Sequence, residues 1–387
     1  MKYRLDELFD LQMGKTPARK NPEYWNVEEN KWISIADLSK CGKYINATKE
    51  SISNKAVSES GIMQIPKNTV IMSFKLSIGK TAITSEPMYS NEAIISFRDK
   101  HVVEIMPEYL YYLILSKDWN AGTNKAVMGK TLNKATLSKV TVNIHNIEQQ
   151  HKIVETLDKV NNVVMSRQQQ LKKLDELVKS RFIEMFKGGK YPIVKAADVC
   201  DFITKGTTPP SNEIYLKPFE DSIPYLKVYN LSFDGSMLFF EEPQYISRDT
   251  HEGKLARSKV YPNDVLMNIV GPPLGKFSLV NNDFPEWNIN QAIAIFRARE
   301  SILPKFLLHA LMQPDVLKPF LDKAQGVRQL NFSLEQCRNL EFPLPPIPEQ
   351  QEFVEFAEQT DKSKIVIQQA LDKAQLLFDS LMQKYFS

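Results

Sequence analysis

Residues 65–72, Ile-Pro-Lys-Asn-Thr-Val-Ile-Met, are followed by Ile78-Gly79-Lys80, and this stretch occurs a second time later in the chain. The second copy reads Tyr261-Pro262-Asn263-Asp264-Val265-Leu266-Met267 and is followed by Leu274-Gly275-Lys276. In both copies a proline and a turn-forming residue precede a short apolar run, which is typical of a turn leading into a buried β-strand. A strand and its loop repeated after about 200 residues indicate a duplicated module.

Further blocks return in the same order at nearly the same offset. They are Gly14-Lys15-Thr16-Pro17 with Gly206-Thr207-Thr208-Pro209, residues 32–39 with 225–232, residues 91–97 with 290–296, and Glu148-Gln149-Gln150 with Glu349-Gln350-Gln351. Each copy also mixes short β-branched runs with helices that a proline opens, as at Pro107 and Pro304. We therefore predict two similar α+β modules in a pseudo-two-fold internal repeat.

Each copy ends in a long segment without proline, in which apolar residues recur every three or four positions. The stripe residues are Ile153, Leu157, Val160, Val164, Leu171, Leu174 and Val178 in the first segment, and Phe353, Ala357, Ile367, Leu371, Phe378 and Leu381 in the second. A narrow apolar stripe of this kind needs a partner helix. We predict two long antiparallel coiled-coil-like helices that pack on each other along this seam; two unrelated amphipathic surface helices are the alternative.

The predicted organisation is a first module at 1–150, a central long helix at 151–187, a second module at 188–348 and a C-terminal long helix at 349–387. Of the 387 residues, 43% are hydrophobic and 25% are charged, which is typical of a folded globular chain. The three cysteines lie far apart and form no disulfide or zinc pattern, which suits a reducing compartment. With no signal-peptide or membrane-helix pattern, we predict a cytoplasmic protein.

Sequence patterns of catalysis are incomplete in this chain. Gly14-Lys15-Thr16 and Gly129-Lys130-Thr131 resemble the end of a phosphate-binding loop, but Phe9 and Asn124 stand where its first glycine belongs. The chain has no Asn-Pro-Pro-aromatic or Asp-Pro-Pro-aromatic tetrapeptide, the adenine-gripping loop of amino-methyltransferases. Its five histidines show no metal-ligand spacing. We therefore predict a non-catalytic chain that holds no metal.

Two similar modules on a rigid helical pair suit the binding of two separated sites on one linear ligand, and DNA is the natural candidate. Lysine and arginine contact phosphates, whereas amide and hydroxyl side chains also read base edges. The candidate DNA-binding residues lie in loops: Lys15, Arg19, Lys20, Lys75, Lys80, Lys125, Lys130 and Lys134 in the first copy, and Lys205, Thr207, Thr208, Lys276, Lys323, Arg328, Gln329 and Asn331 in the second. Simple solvation is the alternative for each lysine, and a net charge of +3 permits a DNA partner without arguing for one.

The ordered set of repeated blocks resembles the specificity subunit of type I restriction-modification enzymes over essentially the whole chain. The resemblance implies that each α/β module is a target recognition domain, and that each reads one half of a bipartite, asymmetric site in double-stranded DNA. It also implies that the long helices set the spacer between the half-sites and dock two modification subunits. Restriction subunits, which are motor-nucleases, would complete the assembly.

The same resemblance implies that this chain binds no cofactor. S-adenosylmethionine would belong to the modification subunits, which methylate an adenine in each half-site, and ATP and Mg²⁺ to the restriction subunits. Two other functions stay open: a sequence-reading DNA-binding adaptor of another phage-defence complex, and a self-contained methyltransferase or nuclease. Co-purification with a modification subunit separates the first of these from the specificity subunit, and methyl transfer by the isolated chain tests the second.

Overall fold

The structure is a computed structural model that describes residues 1–75, 77–119, 133–271, 273–322 and 330–387. The chain divides into two compact units, one formed by Met1–Ser166 with Ala370–Ser387 and the other by Arg167–Gln369. Each unit contains one α+β module and segments of both long helices, as the repeat predicts. Across the described residues, every helix is too short or too polar to span a bilayer.

The first module and the helix that follows it have these elements: β1 (Lys2–Arg4), α1 (Leu5–Leu8), β2 (Phe9–Met13), β3 (Trp25–Ile33), α2 (Ile35–Lys40), β4 (Tyr44–Ile45), β5 (Glu50–Ile52), α3 (Asn54–Ser60), β6 (Val70–Ser73), β7 (Thr81–Thr84), β8 (Tyr89–Ser90), β9 (Ile94–Asp99), α4 (Pro107–Leu115), α5 (Lys134–Ser138), β10 (Thr141–Asn143) and α6 (Ile147–Phe186). Five strands form a sheet in the order β2-β9-β6-β7-β4, and three form a smaller sheet in the order β5-β3-β8.

Strand β6 shows why the repeated apolar run is buried. Val70 and Met72 point to one face of the five-stranded sheet, where they pack with residues of α4 such as Leu110. Ile71 points to the other face and packs with Leu38 of α2. Because successive side chains of a strand alternate between faces, a run without polar residues is stable only in a sheet that is covered on both sides.

The second module and its helix repeat this plan: β11 (Ile193–Lys195), α7 (Ala196–Val199), β12 (Cys200–Lys205), β13 (Ile223–Leu226), β14 (Tyr245–Ile246), α8 (Arg248–Glu252), β15 (Lys259–Val260), β16 (Val265–Asn268), β17 (Val270–Gly271), β18 (Phe277–Leu279), β19 (Trp287–Ile289), β20 (Ile293–Ala298), α9 (Pro304–Leu311), α10 (Pro314–Asp322), β21 (Leu330–Asn331), α11 (Leu334–Arg338), β22 (Glu341–Pro343) and α12 (Ile347–Phe386). The sheet β12-β20-β16-β18 corresponds to β2-β9-β6-β7. In β16, Val265 and Met267 face one buried cluster and Leu266 faces another, with the alternation seen in β6.

The long helices α6 and α12 each contain 40 residues, which at about 1.5 Å per residue corresponds to about 60 Å of helix. They begin a few residues before the predicted positions 151 and 349. In the second unit Phe182 packs on Phe353 with ring centroids 5.3 Å apart. The Arg181 Nη2 atom lies 3.0 Å from Glu352 Oε1 in the same unit. The two helices are antiparallel there, because Asp175 of α6 pairs with Lys364, farther along α12.

The predicted seam positions turn away from solvent. In the first unit Ile153 and Leu157 belong to the same buried cluster as Met382 and Phe386. The buried seam residues are Ile153, Leu157, Val164, Val178, Phe353 and Ala357, and the half-buried ones are Val160, Leu171, Leu174, Ile367, Leu371, Phe378 and Leu381. The α+β fold with two long antiparallel helices is therefore confirmed.

The repeated Glu-Gln-Gln block anchors each long helix to its module. Gln150 and Gln350 are fully buried. The Gln150 side chain accepts a hydrogen bond from Met106 N (2.9 Å) and donates to the main-chain oxygen of Glu104 (2.9 Å). Gln350 accepts from Leu303 N in the same way (2.8 Å). Since Met106 and Leu303 immediately precede α4 and α9, one glutamine fixes the start of the long helix against the start of the proline-opened helix.

Acidification is expected to destabilise the second unit through His309. The imidazole packs edge-on against Phe353, with centroids 5.3 Å apart, and burial lowers the pKa of His309 to about 4. Asp361, Lys305 and Lys364 are the charged groups around it. A folded-state pKa below the unfolded value of about 6.5 means that stability is complete above pH 6.5 and is lost as the pH falls toward 4.

Between pH 7.5 and 5.5 this histidine should reduce the free energy of unfolding by on the order of 1 kcal/mol. Denaturant titrations at both pH values, with H309Q as the comparison, measure its share. The variant should lose less stability on acidification than the unchanged chain. Equal losses of unfolding free energy in both proteins would contradict the role given to His309.

Candidate nucleic-acid interface

The loops that carry the predicted cations of the first unit meet at one end of its larger sheet. Strand β2 ends beside the start of β9 on one side, and β6 ends beside it on the other. Strand β7 starts beside the end of β6. We call residues 14–20, 75, 77–80 and 91–93 the first sheet end. The strand register thus brings together three loops that are far apart in sequence.

The second unit repeats this arrangement. Strands β12 and β16 end on either side of the start of β20, and β18 starts beside the end of β16. Strand β21 pairs with β17, which places the main chain of Asn331 opposite Val270. We call residues 205–210, 273–276, 290–292 and 331 the second sheet end.

A glycine makes the close approach of strands possible at each sheet end. A Cβ atom added to Gly206 would lie 2.1 Å from the main-chain oxygen of Asn290 and 2.3 Å from that of Ile289. At Gly14 it would lie 2.2 Å from the main-chain oxygen of Ser90. Both glycine N–H groups donate to β9 or its counterpart β20, at 3.0 Å in each unit. The repeated glycine is therefore required because any side chain would overlap the neighbouring backbone.

A buried aromatic side chain holds the residue after each of these glycines. Trp32 Nε1 donates to the main-chain oxygen of Lys15 (3.1 Å), and the Tyr225 hydroxyl donates to that of Thr207 (3.2 Å). Burial raises the pKa of Tyr225 to about 12, so its hydroxyl keeps its proton at neutral pH. Sequence reasoning did not assign this role, although the repeated blocks that begin at Trp32 and Tyr225 carried the signal.

The Gly-Lys pairs also occupy equivalent positions. Gly79 and Gly275 have φ values of 88° and 91°, a backbone conformation that favours glycine. The next N–H group, that of Lys80, donates to Ser73 Oγ (3.0 Å), and that of Lys276 donates to Asn268 Oδ1 (2.7 Å). The turn and its side-chain acceptor thus fix the direction in which each lysine leaves the backbone.

The predicted DNA-binding residues of the first sheet end differ in their exposure and in the contacts of their side chains. Lys15, Lys20 and Lys80 are exposed, whereas Lys75 is half-buried with its Nζ atom 5.4 Å from the Phe74 ring centroid. Lys15 Nζ also donates to a main-chain oxygen at the end of α3. Exposed ammonium groups of this kind can reach a phosphate without losing a buried partner.

Arg19 is held by several groups of its own unit. Its guanidinium lies 3.8 Å from the Trp25 ring centroid and 4.7 Å from that of Trp32. Its Nη2 atom donates to Glu50 Oε2 at 3.1 Å. The stacked, paired arginine organises the loop around β3, so contact with DNA would compete with these interactions.

At the second sheet end Lys205, Thr208 and Asn331 are exposed, and Thr207 and Lys276 are half-buried. The two threonines also accept hydrogen bonds within the unit. Arg257 Nε donates to Thr207 Oγ1 (3.1 Å), and Gln291 N donates to Thr208 Oγ1 (3.3 Å). Arg257 was missed by the sequence analysis because 50 residues separate it from Thr207.

The remaining predicted residues lie elsewhere. Lys134 is exposed in the first turn of α5, which packs against α1. The predicted residues Lys125, Lys130, Lys323, Arg328 and Gln329 lie outside the described residues. The assignment of each to DNA binding therefore stays a prediction.

One exposed position that is equivalent in the two sheet ends carries a different residue in each. Glu92 of the first accepts a hydrogen bond from the Thr16 hydroxyl, which lowers the pKa of its carboxyl, and Lys75 adds a favourable charge. Gln291 stands at the corresponding place in the second. A carboxylate only accepts hydrogen bonds, whereas an amide both donates and accepts, so the two ends present different chemistry in one backbone arrangement.

Within the described ranges, one group of side chains has the spacing of a metal site: His251, Glu252 and Glu286, with ligand atoms within 4.8 Å of one another. Asn288 Nδ2 lies 3.0 Å from His251 Nδ1, and its Oδ1 atom accepts from a buried serine hydroxyl. The ring therefore accepts at Nδ1 and carries its proton on Nε2, the nitrogen 3.7 Å from Glu286. Two basic side chains pair with the carboxylates. This geometry fits an ion-pair network better than a metal centre.

Comparison with known proteins gives a consistent result. The profile of the type I restriction modification DNA specificity domain matches this chain twice, over residues 1–176 and 188–376. The specificity subunit of the type I restriction enzyme MjaIX from Methanocaldococcus jannaschii is 27% identical over 253 residues, which cover 59% of this chain and 57% of that protein. The EcoBI specificity subunit from Escherichia coli is 24% identical over 373 residues, covering 84% of this chain and 75% of that protein.

Solved structures share the fold. The S subunit of a type I restriction-modification system from M. genitalium superposes with a TM-score of 0.53 at 14% identity, covering 100% of this chain and 96% of that one. A chain from a study of complex assembly and conformational transition of the type I R-M system gives a TM-score of 0.57 at 17% identity, covering 99% and 96%. At these identities the similarity shows a shared fold and nothing further.

Proposed function

Because this chain belongs to the type I restriction-modification DNA specificity family, whose profile covers both copies of its repeat, we propose that it is the DNA sequence-specificity subunit of such a system. Each module reads one half of a bipartite, asymmetric DNA site, and the long helices set the spacer and dock the modification subunits. The observation that carries the proposal is the pair of sheet ends, which have the same backbone arrangement and different exposed side chains.

The exposed groups at each sheet end suit the two tasks of DNA recognition. Lys15, Lys20, Lys80 and Lys205 are exposed and positively charged, which favours phosphate contacts that position the duplex. The exposed carboxylate at position 92, the hydroxyl at 208 and the amides at 291 and 331 supply the donors and acceptors that distinguish base edges in the major groove.

The difference between the sheet ends explains why the proposed site is asymmetric. Two identical ends on a pseudo-two-fold repeat would select two equivalent half-sites. Glu92 accepts from a base such as cytosine, which offers an amino group, whereas Gln291 suits adenine, which offers a donor and an acceptor. A second difference at equivalent positions is that Lys15-Thr16 in the first copy corresponds to Thr207-Thr208 in the second.

The long helices carry a repeated set of exposed apolar residues. Met165 and Leu377 are exposed in the first unit, and Ile365 and Leu177 are exposed in the second. Each residue of one set has its counterpart in the other set 200 positions away. Since exposed apolar groups on a helix favour protein contacts, the repetition supports the docking of two modification subunits, one per set.

A charged side chain introduced into one of the two sets of exposed apolar residues should weaken the binding of one modification subunit. L377D introduces a carboxylate into the proposed contact, which should weaken binding of one subunit by tenfold or more, on the order of 1.4 kcal/mol or above. The mass of the purified complex should then correspond to one modification subunit per chain. L216D changes another exposed leucine, one that lies on the second module, and serves as the control. Unchanged stoichiometry in L377D would contradict the docking surface.

We further propose that this chain contributes no catalytic group and binds no cofactor. S-adenosylmethionine binds to the modification subunits, which methylate adenine, and ATP and Mg²⁺ bind to the restriction subunits. The chain's own contribution is the choice of site. It does this by binding, orienting and spacing two stretches of one duplex.

Sequencing of methylated adenines tests the proposal directly. Cells that express the modification subunit with this chain should show methylation at one bipartite motif, which disappears when the chain is deleted. The modification subunit should also co-purify with the chain. Methylation that does not depend on the chain, or a chain that binds DNA but no modification subunit, would overturn the proposal; the second result would favour an adaptor of another phage-defence complex.

A further inference from the structure

In the first unit a half-buried ion pair connects the module to its long helix. Lys43, between α2 and β4, places its Nζ atom 2.6 Å from Asp158 Oδ1 of α6. The side chain of Lys43 is only 14% exposed, and its Nζ atom lies 4.8 Å from the ring centroid of Tyr112. The Tyr112 hydroxyl of α4 donates to the same Asp158 oxygen at 2.5 Å. One aspartate of the helix therefore binds two separate elements of the module.

In the second unit different residues make the corresponding connection. Lys305 of α9 is 19% exposed and lies 2.7 Å from Asp361 Oδ2 of α12. Lys364 of α12 lies 3.7 Å from Asp361 and 2.5 Å from Asp175 of α6. The module and both long helices are thus joined through alternating charges.

The two connections are not copies of each other. Lys305 corresponds to Glu108 in the first copy, and Glu108 instead accepts a hydrogen bond from the Tyr44 hydroxyl at 2.6 Å. A cleft of about 1000 Å³ opens beside the second connection and is lined by Lys305, Asp361 and Lys364. The charged groups beside that cleft therefore add to the apolar packing between α9 and the long helices in holding the module in place.

We infer that these two clusters, Lys43–Asp158–Tyr112 and Lys305–Asp361–Lys364–Asp175, are orientation locks that determine which spacer lengths the protein accepts. The inference rests on the proposed function. If a module tilts on its helices, its sheet end meets the duplex at another place, and a neighbouring spacer length becomes acceptable. A half-buried ion pair opposes such a tilt because separating it leaves a largely buried lysine, 14% exposed at Lys43 and 19% at Lys305, without its carboxylate partner.

The test is a selection with the full-length chain and its modification subunits on double-stranded DNA that contains about 40 randomised base pairs, longer than a protein-contacted site of about 20–30 base pairs. The variants D158N and D361N remove one carboxylate charge from each lock at nearly constant volume. E155Q is the matched control, because Glu155 and Lys159 form an ion pair within α6 at 66% and 73% exposure. Thermal unfolding of each variant reports on folding.

For D158N and D361N we expect the half-site sequences to stay the same, while molecules with a spacer one base pair longer or shorter become about tenfold more frequent. E155Q should select the same spacer distribution as the unchanged chain. A distribution as sharp as that of the unchanged chain in both lock variants, with folding intact, would overturn the orientation locks. Absence of any bipartite motif from the unchanged chain would instead overturn the proposed function, so the two failures are distinguishable.

Discussion

G206A is expected to abolish reading of one half-site and to lower the free energy of unfolding of the second unit by about 3 kcal/mol. The new methyl group would lie 2.1 Å from the main-chain oxygen of Asn290, a contact that no rotamer change relieves. The backbone of the loop that carries Thr207 and Thr208 must move away from β20 to make room. Selection of bound DNA measures the loss of half-site reading, and denaturant unfolding measures the loss of stability.

G14A should produce the same loss in the other half-site, since its added Cβ would meet the oxygen of Ser90 at 2.2 Å. G42A is the matched control, because a Cβ there meets nothing within 4 Å in the ranges that the structure describes. The G206A protein should still select the half-site that the first module reads. If it unfolds like the unchanged chain and selects both half-sites, the role of the repeated glycine is wrong.

Lengthening both long helices is expected to lengthen the recognised spacer. Four residues inserted after Gln169 and four more after Gln369 would add about 6 Å to each helix and roughly keep the seam in phase. At about 3.4 Å per base pair the selected spacer should grow by roughly two base pairs. The half-site sequences should stay unchanged, because neither insertion lies in a sheet end.

Selection of bound DNA from a randomised library measures both quantities at once. Insertion after Gln169 alone is the informative comparison, because it shifts α6 along α12 and separates pairs such as Phe182 with Phe353. That variant should be less stable than the one with both insertions. A folded double-insertion protein that keeps the original spacer would show that the helices do not set the distance.

Much of the fold could be predicted because it depends on patterns along the chain. The duplicated strand with its Gly-Lys turn gave the two modules, and alternate burial in β6 and β16 explains why the run had to be apolar throughout. The stripe from Ile153 onward gave the paired helices, since a 3.5-residue repeat depends only on local helix geometry. These features need no knowledge of which distant residues meet.

The candidate site and the orientation locks were less predictable because their contacts join residues that are far apart in sequence. Lysine 43 and Asp158 are 115 positions apart, and no local pattern marks them as partners. Arg19 looked like a free cation in its loop, whereas the fold places two tryptophans and Glu50 around it. Trp32 and Tyr225 share a function but not a residue type, so the repeat alone did not show that both donate to a loop carbonyl.

The glycine contacts and aromatic donors at the sheet ends use main-chain atoms of the loops they hold. The backbone path at Lys15 and Thr207 therefore depends little on the side chains of these two residues, and exposed positions such as 92 and 291 can change without loss of these contacts. Under the proposed function, substitution at such positions can alter the half-site sequence that one module reads, while the other half-site sequence and the fold stay the same. New half-site specificities can therefore arise in this fold without a new backbone arrangement.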